Sequence, residues 1–134
     1  MNDAVKEYIR KVKRLIVEGL ETNFPTLLLY EDEVPQEETT AYDNGAPYFL
    51  MVLKMGAINK QDDVKFLSQD FTIDFYCENR DDVDEIALDL ISILKVIPSV
   101  TYSSSQKFRA RHSDTNRFVD IVTLQFKRGM KLEC

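Results

Sequence analysis

The sequence has no tryptophan, one histidine, two cysteines and only four glycines in 134 residues. Each shortage removes a class of chemistry. His112 has no cysteine or second histidine at ligand spacing, which argues against a zinc site. As a general base it would need a nucleophile and an orienting acid. Ser103, Ser104, Ser105 and Asp114 are near it only in sequence. Cys77 sits on an apolar alternation and Cys134 is the last residue, a pattern of one buried hydrophobe and one terminal thiol rather than a disulfide framework. A reducing compartment fits this usage. The glycines, at 19, 45, 56 and 129, form neither GxGxxG nor GxxxxGK[ST], so no phosphate cradle is expected. The acidic run Asp81-Asp82-Val83-Asp84-Glu85 lacks the alternation and central glycine of a calcium loop and reads as the start of a helix. No cofactor or metal is therefore expected, and no enzymatic role. No apolar run approaches the ~20 residues of a membrane span. The N-terminus runs straight into charged residues, so no signal peptide is expected. A protein made in the cytoplasm is implied, with no membrane partner.

What is present describes an ordinary globular chain. Hydrophobic residues make up 44% and charged residues 30%, which argues against wholesale disorder. The length fits a single domain, 1–134, able to bury roughly two thirds of its unfolded surface without staples. The formal net charge is −6 but it is unevenly spread. Residues 31–46 hold six acids and no base, whereas residues 106–134 hold seven bases and three acids. Opposed patches on one chain suit a contact between copies, acid side to basic side. The candidate acidic side is Glu31, Asp32, Glu33, Glu37 and Glu38. The candidate basic side is Lys107, Arg109, Arg111 and Arg117. The basic strand with Phe108 also has the look of a nucleic-acid platform, but the chain is acidic overall. An edge strand facing a partner, or one protected against aggregation, accounts for it better.

Periodicity supplies the elements. Asn2 or Asp3 can cap a first helix, in which Val5, Tyr8, Ile9, Val12, Leu15, Ile16 and Leu20 form one apolar stripe. Pro25 should end it. Residues 26–30 read as a short strand. Residues 31–46 have loop chemistry, long enough to be a functional loop or a projecting β-arm, with Asp43-Asn44-Gly45 as a turn. Residues 48–55 are strand-like with apolar side chains on both faces, so a helix is expected over one face and a neighbouring subunit over the other. Residues 56–64 read as a polar turn. Phe71, Ile73, Phe75 and Cys77 then alternate as a half-buried strand. After Asn79-Arg80-Asp81-Asp82, the residues Val83, Ile86, Ala87, Leu90, Ile93 and Leu94 resume at helical spacing, capped by Asp81 or Asp82 and stopped before Pro98. Residues 100–105 read as strand edge or loop. Phe108, Ala110 and His112 alternate with Lys107, Arg109 and Arg111, a turn follows at 113–116, and a long strand covers 118–127. The expected fold class is α+β, in the order αβββαββ. It has a mixed, mainly antiparallel sheet of about five strands with two helices on one face.

The segment FTIDFYCENRDDVDEIALDLISILKVIP resembles the core of small tail-terminator and tail-completion proteins of long-tailed bacteriophages, which are also described as minor capsid or head–tail joining proteins. The shared pattern is the strand at Phe71, Ile73 and Phe75, a polar break, and an acid-led helix with apolar spacing from Ala87 to Leu94. The early helix and the late hairpin ending in 118–126 complete the resemblance. It implies a structural virion protein whose partners are copies of itself in a homo-oligomeric ring, commonly a hexamer. The tail tube protein and a head-completion protein would lie on either side, and DNA would only pass through the lumen. It carries over no catalytic or ligand-binding residue. A different class, a small bacterial ligand- or peptide-binding module acting by sheet-edge recognition, also fits the exposed basic strand.

Overall fold

A computed structural model describes residues 3–60, 66–112 and 116–131. Eight elements follow in order: helix α1 (Asp3–Asn23), strand β1 (Leu28–Glu31), helix α2 (Gln36–Asp43), strands β2 (Phe49–Lys60) and β3 (Phe66–Glu78), helix α3 (Val83–Lys95), and strands β4 (Val100–Arg111) and β5 (Phe118–Lys131). The protein is α+β. The strands form one mixed sheet in the order β1-β2-β3-β5-β4. β1 pairs with β2 in parallel, and the other three pairings are antiparallel.

The alternation in β3 sets the layers. Phe71, Ile73, Phe75 and Cys77 point to one face, where they meet Val12, Ile16 and Leu20 of α1 and Val83, Ile86, Leu90 and Leu94 of α3. Both helices bury residues three, four or seven apart, the stripe that helical spacing demands. Phe71 stacks on Phe126 from β5 with centroids 5.2 Å apart, and Phe49 meets Phe75 edge-on at 6.2 Å. Each such side chain withdrawn from water contributes about 1.5–3 kcal/mol. Arg128 lies among these residues at 1% exposure. Its guanidinium donates to the Gln69 side-chain oxygen and, at 3.0 Å, to the carbonyl of Ile9 in α1.

Several expectations need correction. There are three helices, and the order is αβαββαββ. The stretch 31–46 is neither an open loop nor a β-arm, because α2 forms inside it. Glu37 and Glu38 occupy its first turn, where negative charge is favoured. Thr39 and Thr40 bond back to the carbonyls of Pro35 and Gln36 at 3.2 and 3.1 Å, so hydroxyls that often compete with a helix here follow it.

The helices also do not share one face. Tyr42 of α2 packs with Leu50 and Val52 on the side of the sheet opposite α1 and α3, joined by Tyr30, Val34, Ala46, Tyr48 and Tyr76. The second apolar face of β2 is thus covered by the chain's own helix rather than by a neighbour. Finally, residues 56–60 extend β2 past a register shift between Met55 and Ile58. A side chain at Gly56 would place its Cβ 2.7 Å from the Asp70 carbonyl oxygen, so this close crossing admits only glycine.

Asp82 takes the N-cap position of α3 but makes no capping bond. Its carboxylate is held by Arg80 at 2.9 and 2.8 Å instead. Asn2, the turn residues Gln61, Asp62, Asp63 and Val64, the Ser113-Asp114-Thr115 turn and Cys134 lie outside the described residues.

Candidate functional site

Three surfaces stand out on the sheet, its two edges and the part of its outer face that α2 leaves open. The edge strand β4 is twelve residues long, and nearly every residue from Thr101 onward is exposed. Its pairing with β5 sets Phe108 beside Ile121 and Ala110 beside Val119. Across β5, Ile121 adjoins Tyr76 and Val119 adjoins Glu78. Phe108, Ala110, Val119, Ile121 and Tyr76 therefore form an apolar strip on the outer face, next to the area under α2. Phe108 is 55% exposed. A shallow pocket of about 130 Å³ opens here, lined by Tyr48, Tyr76, Ala110, Arg111, His112, Val119 and Ile121. That volume approaches an apolar cavity of about 150 Å³, which holds one benzene ring.

The basic residues of β4 face the other way. Lys107 pairs with Val122 and Arg109 with Asp120, both on the helix-bearing side of β5. Lys107 reaches Asp84 in the first turn of α3 at 2.8 Å, and Arg109 reaches Asp120 at 2.9 Å. Arg111 continues the row. These contacts hold the cations in a line along the edge, and as exposed pairs they contribute little to stability.

The acidic group gathers at the opposite edge. Glu31 ends β1 and pairs with Lys13 of α1 at 3.1 Å. Asp32 turns the chain with φ 68° and donates its N–H to the carbonyl of Leu53. Glu33 follows, and Glu37 and Glu38 open α2. Burial and hydrogen bonds to Tyr42 and Glu38 push the Tyr30 phenol upward, which ties α2 to β1.

Arg117 stands apart from the other proposed interface residues. It donates to both oxygens of Glu78 at 2.9 and 2.8 Å, to the Tyr42 carbonyl at 2.8 Å and to the Ala46 carbonyl at 2.9 Å. Its guanidinium also lies 5.6 Å from the Tyr48 ring centre. Tyr48 in turn stacks on Tyr42 at 4.7 Å. His112 adds a bond from Nε2 to Asp43, the last residue of α2, at 3.0 Å. Together they fasten the end of α2 to the sheet. Ser105, the nearest of the sequence-flagged serines, is seven residues from His112 along an extended chain, roughly 23 Å, so it is not an attacking partner for that imidazole. Asp114 lies outside the described residues.

Among the described residues, no three metal-ligating side chains gather. Burial pushes the Cys77 thiol up to about 11, which keeps it protonated and poorly nucleophilic. No helix among the described residues is long and apolar enough to cross a membrane. The chain matches no known family and no curated protein.

The Glu78–Arg117 pair predicts how stability responds to acid. The Arg117 guanidinium, helped by the Tyr48 N–H, holds the Glu78 carboxyl below its ordinary range against the opposing effect of burial. A carboxylate depressed in the folded state stabilises above its unfolded pKa of about 4.3 and loses that contribution as pH falls toward its folded value. Urea midpoints should therefore drop more steeply below about pH 4.3 in the native chain than in Glu78→Gln. Equal slopes would show that the pair contributes nothing to acid sensitivity.

Sequence reasoning found the acidic and basic groups, but it missed that Arg117 is bound within the subunit and that Leu28, at 50% exposure, shares the outer face with Phe108. The alternation of Phe108 and Ala110 was the available signal for the apolar strip.

Proposed function

We propose that the protein is a structural subunit that works by assembling with copies of itself into a ring. The ring would serve as the tail terminator or head–tail joining part of a long-tailed phage, between tail tube and head, with DNA passing only through its lumen. It performs no bond-making step and resides in the virion after synthesis in the host cytoplasm.

One observation carries the reading. The strand order puts the acidic group at the β1 edge and the basic row at the β4 edge, on opposite flanks of the sheet. A ring needs a heterologous contact, in which one flank of a subunit meets the other flank of its neighbour. Opposed charges on opposite flanks supply attraction and direction at once.

Light scattering after size exclusion at high concentration, together with binding to isolated tail tubes, tests it. A multimer of defined size, or capture by tubes, is expected. A strict monomer that leaves tubes untouched overturns it. Reversing Arg109 and Arg111 together to glutamate should weaken assembly about tenfold or more, and circular dichroism would confirm that the fold survives. Unchanged assembly at low and high salt would show these charges to be only solvated.

The pocket beside Phe108 favours a second reading, recognition of an extended peptide at the β4 edge with one apolar side chain in the pocket. Binding of such a peptide to a monomer that never assembles would prefer it.

A further inference from the structure

The two free edges of the sheet match side for side. On β4, Lys107, Arg109 and Arg111 face the helix-bearing side, while Gln106, Phe108 and Ala110 face the outer side. On β1, Leu29 and Glu31 face the helix-bearing side, while Leu28 and Tyr30 face the outer side. Leu28 and Phe108, both about half exposed, thus lie on the same face of the sheet at its two ends. Among the described residues, the backbone of residues 28–30 is bonded only to β2, and that of residues 101–110 only to β5. Both edges consequently present unused ladder groups.

Direction matches as well. The pairings make β1, β2 and β5 run one way and β3 and β4 the other. Two copies related by rotation about an axis along the strands keep their helices on a common side. In that arrangement β4 of one copy lies antiparallel to β1 of the next.

We propose that copies join by pairing β4 of one subunit with β1 of its neighbour, so that the sheet runs on from subunit to subunit. The register sets Glu31 opposite Lys107, Tyr30 opposite Phe108 and Leu28 opposite Ala110. On the outer face the exposed aliphatic and aromatic side chains cover one another. On the helix-bearing face Glu31 meets Lys107, with Leu29 opposite Arg109. The pairs that must loosen, Lys13–Glu31 and Lys107–Asp84, are exposed ones, which hold weakly. This proposal rests on the self-assembly reading and adds the surface and the register.

The test uses the full chain with Cys134→Ser, leaving Cys77 buried. Leu28→Cys and Ala110→Cys are introduced together and mild oxidation is applied. Directly paired residues lie about 5.5 Å apart, within disulfide reach, so a ladder of covalent multimers is expected. The control Leu28→Cys with Gln106→Cys moves one partner about 13 Å along β4 and should give none. Equal ladders from both pairs, or none from either while light scattering still reports an oligomer, overturn the edge pairing and leave the assembly reading standing. Absence of both ladder and oligomer at every concentration overturns both. A second measurement needs no oxidation. Lys107→Glu should weaken association about tenfold, and adding Glu31→Lys should restore it. No restoration would show that the two residues do not meet.

Discussion

Replacing Arg117 with alanine is expected to lower the thermal midpoint by about 10 °C and to free α2 before the rest of the sheet opens. The side chain satisfies both oxygens of Glu78 and two carbonyls at the end of α2. Without it, the largely buried Glu78 carboxylate has lost its cation, and the two carbonyls have lost their donor. What else holds α2 is Tyr42, its only buried residue, stacked on Tyr48, together with the Tyr30 hydrogen bonds and the exposed His112–Asp43 bond. Arg117→Lys should not restore the midpoint, because a single ammonium cannot span two carboxylate oxygens and two carbonyls in fixed directions. Hydrogen exchange resolved by residue is the decisive measurement. Amides in the second half of α2 should lose protection while those of β3 and β5 keep theirs. If α2 stays protected in the alanine variant, packing of Tyr42 against Leu50 and Val52 is what retains it.

The same contact shows why α2 was not legible in the sequence. An amphipathic helix announces itself by a repeating apolar stripe, and QEETTAYD has one anchor and two threonines. What fixes it is a guanidinium 75 residues away at Arg117, and no local pattern carries a partner at that distance. By contrast, β3 and α3 were readable because their own periods, two and then three to four, already state which side faces the core. The two-sided apolar character of β2 was also readable. It correctly demanded a second cover but could not say that the cover comes from the same chain.

The candidate surface divides in the same way. That residues 31–38 are acidic and residues 107–111 basic is a matter of composition. That the two groups occupy opposite edges follows from β5 inserting between β3 and β4, a choice of strand order that neither segment encodes by itself. Arg117 was grouped with the basic side because it shares a charge with Arg109 and Arg111. It sits before β5 begins, where the backbone brings it over Glu78 rather than along the edge. Charge sign is local information, but the direction in which a charge points depends on register.

Arg128 gives the second large effect, with a sign that depends on how it is removed. Burial pulls its guanidinium down from the ordinary range, and it donates to neutral oxygens, those of Gln69 and of Ile9 in α1. A cation in that setting has given up hydration worth several kcal/mol, and hydrogen bonds to neutral acceptors return only part of it. Arg128→Ala should nonetheless cost about 3 kcal/mol or more, because it leaves a cavity in the core and strips donors from the buried Gln69 oxygen and the half-buried Ile9 carbonyl. Replacing the polar set as a unit, Arg128→Met with Gln69→Met, should instead be neutral or stabilising by about 1–4 kcal/mol. The methionines fill the volume and remove the charge together with its main acceptor. Gly56, whose carbonyl accepts from the Gln69 amide, is exposed and can turn to water. Urea denaturation of the two variants against the native chain checks this. A double variant as unstable as the alanine variant would mean that the Arg128–Gln69–Ile9 bridge stabilises the fold on its own account, by tying α1 to the sheet.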